Sequence, residues 1–479
     1  MKRLIQNKNL PGFILLFTTL LFVCQGCRKL VEVDAPITST NFDNVYTEDG
    51  TAAAVLTGIY AKISGNNFGS SPSLNSLSLF CGLSGDELVL YNNALEQVYI
   101  KYYTNALDSR IAGFECWNTI YPVVYYANAA IEGLAKSTTL TPAVKQQLLG
   151  EAKFIRAFCY FYLTNLYGDV ALVTGTNYDQ NATLSRSAQK DVWLQIVADL
   201  KDAETLLSET FVSSDAVTVT NERTRPSKWS AFALLARTYL YMGDWKNAEV
   251  YADKIISPGK FALESDIDRT FLAESAEAIW QLQPVIPGEN TKDAGTFVLP
   301  QTGPSGRFPA YLRSDLLGRF EPGDKRREKW VGSVSVGQAT YYFPFKYKVN
   351  TIGAPVTEYL VAFRLAEQYL IRSEARAMQD NIAGAAADLN VIRSRAGLPN
   401  TAAGSKETLL GAIVQERSME LFTEWGHRWF DLKRMNSIDE IMNNIAAQKG
   451  GVWEPKDKLY PLPMDDILRN SHLTQNAGY

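Results

Sequence analysis

Histidine is almost absent: the 479-residue chain holds two, His427 and His472. A Ser-His-Asp triad needs a well-partnered imidazole, and a zinc centre needs Cys and His at ligand spacing. Neither pattern is present, nor is a G-x-S-x-G elbow, a P-loop or a dinucleotide-binding glycine motif. Cysteine is scarce too. Cys24 and Cys27 lie near the start, and Cys81, Cys116 and Cys159 are irregularly spaced in apolar surroundings. These three read as buried free thiols with at most one disulfide. The net charge is only −4, which gives no footprint for nucleic acid or an anionic membrane surface. The apolar run from Phe13 to Val23 falls short of the roughly 20 residues a spanning helix needs. No cofactor or metal is expected.

What is present begins with that short run. Lys2, Arg3 and Lys8 precede it and Cys24-Gln25-Gly26-Cys27 follows. A basic start, a short apolar stretch and a small residue before a cut site describe a secretory signal over residues 1–26. Gly26-Cys27 resembles a bacterial lipobox, although Cys24 stands where leucine is usual. Cys27 is therefore the candidate lipidation site. Acyl chains gain about 0.8 kcal/mol per buried CH₂, so several would anchor an otherwise water-soluble body. Residues 27–40 read as an extended tether, and 41–479 as a single domain.

Most of that domain reads as helix. Ala53, Leu56, Ile59 and Tyr60 fall at helical spacing behind a cap at Asn41 or Asp43. Residues 64–76 are rich in Gly, Ser and Asn and read as a surface loop. Residues 111–135 carry the stripe Phe114, Trp117, Tyr121 and Tyr125. Thr141-Pro142 opens a long helix ending at Gly168. Another helix covers 188–208. Residues 227–256 break at Gly243-Asp244, and Ala236, Tyr239, Gly243, Trp245 and Ala248 match one tetratricopeptide repeat. A looser copy spans 364–396. Residues 279–350, rich in Gly, Pro and aromatics, read as loops with a few short strands. A last helix is expected from Lys406 to about Arg434, with an irregular C-terminal segment packed over the helices. The fold class is thus mainly α, a tetratricopeptide-like scaffold with a loop-rich subregion.

Glu424 and His427 form an E-x-x-H pair, but a di-iron site needs two such pairs. Glu416, Arg417, Glu420, Glu424, Arg428, Asp431 and Arg434 alternate in sign at helical spacings, which reads as a structural ion-pair ladder. Aromatics offer the better candidates, since Trp and Tyr stack on sugar rings while their polar edges hydrogen-bond. Trp117, Trp193, Trp229, Trp245 and Trp429 sit at helical spacing and read as core. Tyr91, Phe308, Tyr311 and Trp330 lie in loop-like stretches beside Asp86, Asn92 and Arg307, and these seven residues form the candidate ligand site.

Six segments, in order, resemble the SusD/RagB family of Bacteroidetes surface lipoproteins. They are Cys27–Val33, EAKFIRAFCYFYLTNLYGDVALV (151–173), ALLARTYLYMGDWKNAEVYADKII (233–256), LNVIRSRAGLP (389–399), ERSMELFTEWGHRWFDLKR (416–434) and LTQNAGY (473–479). The resemblance implies about four tetratricopeptide-like helix pairs and an outer-membrane, lipid-anchored address facing the exterior. It also implies a SusC-like TonB-dependent transporter as partner, and capture of a nutrient, most often an oligosaccharide, without catalysis. Ligand residues do not transfer by motif within the family; only Cys27 does. Two other readings fit the residues. Fifty-one acids leave room for a surface glycoside hydrolase, and a repeat scaffold could serve as a structural adaptor.

Overall fold

The structure, a computed structural model, describes residues 44–66, 76–92 and 96–479. The signal segment, Cys27, the tether and the caps at Asn41 and Asp43 lie outside the described residues, as does most of the loop expected at 64–76. Residues 46–479 form one compact unit.

Its main helices are α1 (Asp49–Asn66), α2 (Leu77–Ser84), α3 (Gln97–Tyr103), α4 (Glu115–Lys136), α5 (Pro142–Tyr167) and α6 (Gln189–Leu206). After these come α7 (Lys228–Met242), α8 (Trp245–Ile256), α9 (Leu365–Met378), α10 (Ile382–Arg395), α11 (Lys406–Glu420) and α12 (His427–Arg434). From α4 to α10 each of these helices packs on the next, the arrangement of a helical repeat array. No helix among the described residues is long and apolar enough to cross a membrane.

Local chemistry explains the boundaries. Pro142 starts α5 at a position whose N–H would be unpaired anyway, and Gly168, at φ 74°, ends it. Gly243, at φ 73°, closes α7, and the Asp244 side chain accepts the Asn247 N–H at 3.1 Å to open α8. The second repeat uses the same device. Asp380 takes φ 63°, and Asn381 accepts from Gly384 at 3.1 Å to open α10. Aspartate therefore stands where the first repeat has glycine, which is why the second copy looks looser in sequence.

The C-terminal half of α5 is buried on every side, from Phe154 to Tyr167. Among the described residues eight short strands accompany the helices; besides the two-residue pair Val170–Ala171 and Arg186–Ser187 they are β1 (Leu88–Leu90), β2 (Ala278–Leu282), β3 (Ala310–Leu312), β4 (Val331–Val336), β5 (Ala339–Pro344) and β6 (Leu360–Arg364). Antiparallel β2 and β6 are buried throughout and lie against α5. There the Phe158 ring meets Trp280 at 5.2 Å, Phe363 at 5.9 Å and Trp425 at 5.5 Å. β4 and β5 form a hairpin turning at Gly337, φ 61°. Cys81, Cys116 and Cys159 are buried and unbridged.

The helix expected from Lys406 to Arg434 is in fact two, α11 and α12. Between them Thr423 and Trp425 both adopt left-handed backbone, φ 50° and 48°. Such conformations cost of order 1–3 kcal/mol each for bulky residues and persist only where the surroundings impose them. Here the Thr423 N–H donates to Glu87 Oε1 at 3.0 Å and the Trp425 N–H to Ser78 Oγ at 3.0 Å.

The charges of this segment do pair, but largely with other elements rather than along one helix. Buried Arg364 donates to Glu424 at 2.9 Å, to Glu420 at 2.5 Å and to Glu277 at 2.9 Å. Arg395 joins Glu277 at 2.6 Å and also pairs with Glu420, while Arg326 joins Glu416 at 2.6 Å. Lys346 pairs with Glu424. Both Glu424 oxygens are thus engaged by cations, and His427 Nε2 sits 4.0 Å from Glu367. The E-x-x-H pair is part of a packed ionic core.

Removing one partner of a buried ion network strands the others unpaired. Arg364→Met should lower unfolding free energy by about 3–5 kcal/mol, read as a shift of the urea midpoint. Lys406→Met, on an exposed pair with Asp380, should move it by less than about 1 kcal/mol.

Candidate functional site

The site grows out of a short ladder. β1 pairs antiparallel with β3, setting Val89 opposite Tyr311, and the Tyr91 N–H extends the pairing to the Pro309 carbonyl at 2.7 Å. β5 runs alongside β3. Three tyrosines from three chain segments therefore meet. The Tyr311 and Tyr341 rings stand edge to face at 5.1 Å, and Tyr91 and Tyr341 do so at 6.2 Å. All three are half-buried. Beneath them Leu299, Val334 and Phe343 form a small core, against which Phe308, Tyr311 and Tyr341 pack.

Phe308 also lines an adjoining cavity of about 260 Å³ with Arg307, Asn290, Lys292 and Asn350. Arg307 is exposed, its guanidinium 5.6 Å from the Phe308 ring centre, and it has no ion pair among the described residues. Lys292 is paired with Glu289 at 2.9 Å. Tyr103 from α3 and Arg313 flank the tyrosines. Burial pushes the Tyr311 and Tyr103 phenols up, with Arg313 opposing the shift in both. The amides are engaged, Asn290 with Pro355, Thr357 and Glu358 and Asn350 with Val298, so the aromatic rings and the Arg307 guanidinium are what suit a neutral polyhydroxylated ligand here.

The seven residues singled out from sequence divide. Tyr91, Phe308, Tyr311 and Arg307 are brought together here, and exposed Asn92 follows Tyr91. Trp330 is not. It is fully buried, and its Nε1 donates to the Ile267 carbonyl at 3.0 Å. The loop-like stretch around it is a core turn leading into β4. Asp86 is also withdrawn from any ligand. Its carboxylate takes a fork from Arg428 at 2.8 and 2.7 Å and a third bond from Arg319 at 2.9 Å. Those guanidiniums hold its carboxyl well below the usual carboxylate range against the cost of burial. Tyr341 and Tyr103 were missed. Tyr341 lies in the alternating run Thr340-Tyr341-Tyr342-Phe343, which marks a strand but cannot say which face is open. Nothing in the sequence marks Tyr103.

The floor of the site is pinned from the C-terminal region. Lys449 Nζ donates to the carbonyls of Leu83 and Ser84 at 2.8 Å, to Gly85 at 3.1 Å and to Asn105 Oδ1 at 3.0 Å. An ammonium here caps the carbonyl end of α2, where a cation is favoured, and fixes the chain leading to β1.

Residues 45–240 match a family model described as "Starch-binding associating with outer membrane", and residues 331–479 match the SusD family model. The chain belongs to the SusD/RagB family. SusD-like protein P25 of Formosa agariphila is 22% identical, covering 97% of this chain and 99% of its own. A SusD superfamily crystal structure from Bacteroides vulgatus superposes with TM-score 0.78 at 21% identity, over 90% of this chain and 99% of that one. A structure titled laminarin binding SusD-like protein gives 0.75 at 22%, over 91% and 100%. The tetratricopeptide-like fold of the family is thus shared along the SusD-like chain.

Glu87, next to Asp86, offers a test of the floor. Burial lifts its carboxyl to about 7, with the Thr423 N–H opposing and the Asp86 charge adding. A raised acid loses protons on unfolding, so its penalty is absent below the unfolded value near 4.5, grows between there and about 7, and is fully present above it. Glu87→Gln keeps an acceptor for Thr423. It should stabilise the protein at pH 8 by roughly 1–3 kcal/mol and have little effect at pH 4.5, measured by urea unfolding at both pH values.

Proposed function

We propose that this SusD-like protein is a cell-surface lipoprotein, anchored through Cys27, that captures a glycan and passes it to a SusC-like TonB-dependent outer-membrane transporter. It carries no catalysis of its own in this reading. The observation that carries it is the Tyr91–Tyr311–Tyr341 cluster beside unpaired Arg307. Aromatic faces bind the C–H faces of sugar rings, and phenol edges with a guanidinium reach the hydroxyls. Rings seated on paired strands lose little freedom on binding, which favours affinity from a shallow surface. The starch-binding family description and the laminarin-binding neighbour support a glycan as the ligand class. The acids nearby favour binding over hydrolysis, since a glycosidase needs two carboxyl groups free to face the bond. Asp86 is held by two arginines and Glu289 by Lys292. A single domain over 41–479 behind a tether at 27–40 would leave this cleft exposed outside the cell.

Calorimetry of the protein with laminarin, starch and a panel of plant and host glycans should reveal binding to at least one. Tyr311→Ala combined with Tyr341→Ala should weaken that binding about tenfold or more, given 0.5–1.5 kcal/mol per aromatic contact beyond area. Wild-type affinity in the double variant would remove the cluster from the site. Silence across the panel, together with no transporter copurifying from outer membranes, would overturn the function.

A division of labour follows from the anchor. Cys27→Ala should abolish membrane retention in cell fractionation and leave glycan affinity unchanged. Binding lost along with the lipid would contradict it.

A further inference from the structure

A second cleft, of about 610 Å³, opens between the loop after α3, the start of α4 and the short helix Met464–Arg469. Its volume falls within the roughly 300–1,000 Å³ of small-molecule sites. None of its lining residues belongs to the tyrosine cluster or to the cavity beside it. Its walls are tied in place. Asp108 and Ala112 exchange backbone hydrogen bonds at 3.2 and 3.3 Å, so the loop closes on itself around Arg110. Gly113, at φ 110°, seats the loop against Pro461, whose Cδ would lie only 2.5 Å from an added Cβ. The short helix is held by the Met464 N–H, which donates to the Ser109 carbonyl at 2.9 Å, and by Asp466 Oδ2, which accepts from Trp117 Nε1 at 2.8 Å.

The polar side chains that line this cleft are largely unused. Lys101 takes the Asp108 carboxylate at 2.9 Å, which leaves the exposed Arg110 without an ion pair among the described residues. Asn118 and Asp465 are exposed as well, and neither side chain has a hydrogen bond or an ion pair among the described residues. Arg469 reaches Asp466 only at 3.8 Å. Two arginines face two aspartates, so the lining carries no net charge and favours neither an anion nor a cation. Apolar surface lies beside these groups: the half-buried ring of Phe114, and Leu468, which is 76% exposed.

We propose that this cleft is a second binding site, for a neutral sugar, with Arg110, Asn118 and Asp465 as its polar partners and Phe114 as its apolar face. A sugar hydroxyl both donates and accepts hydrogen bonds. A guanidinium only donates, a carboxylate only accepts and an amide does either, so the three unused side chains together match a row of hydroxyls. A single anion or cation would satisfy one of Arg110 and Asp465 and be repelled by the other. Hydrogen bonds to charged partners are roughly twice as strong as neutral ones. Phe114 and Leu468 offer apolar surface to the C–H face of a sugar ring. Walls already tied by backbone bonds keep the ordering cost of binding low. The inference does not rest on the glycan reading of the tyrosine cluster.

The test is calorimetry of the full chain, and of the double variant Tyr311→Ala with Tyr341→Ala, against maltohexaose, laminarihexaose, cellohexaose, mannohexaose and the acidic hexagalacturonate. At least one neutral hexasaccharide should bind the double variant saturably. In that background Arg110→Ala should weaken it about tenfold and Asp465→Asn severalfold, in keeping with hydrogen bonds to charged groups. Both side chains are exposed and unpaired, so both substitutions leave the fold intact. Should the double variant unfold, the same two substitutions in the wild-type chain should lower the number of hexasaccharide molecules bound per chain. No neutral hexasaccharide binding below roughly 10 mM, or binding that neither substitution changes, would overturn the site. Hexagalacturonate bound more tightly than every neutral chain would overturn its ligand class.

Discussion

The buried guanidinium of Arg364 is the constraint on which the rest of the structure depends. It sits on three carboxylates, Glu277, Glu420 and Glu424, which Arg395, Arg326 and Lys346 approach from other sides. An unpaired charge in a dry interior costs several kcal/mol, so every member must be seated for any to be tolerated. Glu277 and Arg364 flank the paired strands β2 and β6, Arg395 ends α10, and Glu420 and Glu424 bound the turn between α11 and α12. One electrostatic knot thus fixes the helical repeats, the strands and the C-terminal segment in a single arrangement.

The knot reaches the candidate site through the strained turn. Thr423 and Trp425 hold left-handed backbone on either side of Glu424, and their N–H groups bind Glu87 and Ser78. Glu87 leads directly into β1, whose register with β3 places Tyr91 and Tyr311 around Tyr341. Arg428 and Lys449 then grip Asp86 and the end of α2 from the C-terminal side. The segment leading into β1, and with it the tyrosine cluster, is therefore held in part by residues more than three hundred positions further along the chain.

The helical repeats were largely legible because burial on one face of a helix imposes its own period. Thr141-Pro142, Gly168 and Gly243-Asp244 are likewise read locally, since each acts on backbone groups within a few residues. The second repeat was harder because Asp380 does the work of a glycine. The break between α11 and α12 was harder to see. Gly426, at φ 74°, is its one strong local signal, and the left-handed backbone at Thr423 and Trp425 goes with contacts to Glu87 and Ser78, far off in sequence. For the candidate site, the loop-like texture around Tyr91, Arg307, Phe308 and Tyr311 picked out residues that the structure places in one region. Trp330 and Asp86 share that texture, yet their partners, Ile267, Arg319 and Arg428, lie far off in sequence.

By itself, the sequence determined the class of the protein: a helical repeat body with scarce histidine, no catalytic motif and a lipobox-like start. It did so because composition, period and short motifs are local properties. The tertiary structure alone decided which aromatics are left half-buried and which are sealed in the core, and which carboxylates are locked in ion pairs. Those outcomes depend on which distant segments meet, and burial turns each meeting into a choice between satisfied and stranded charge.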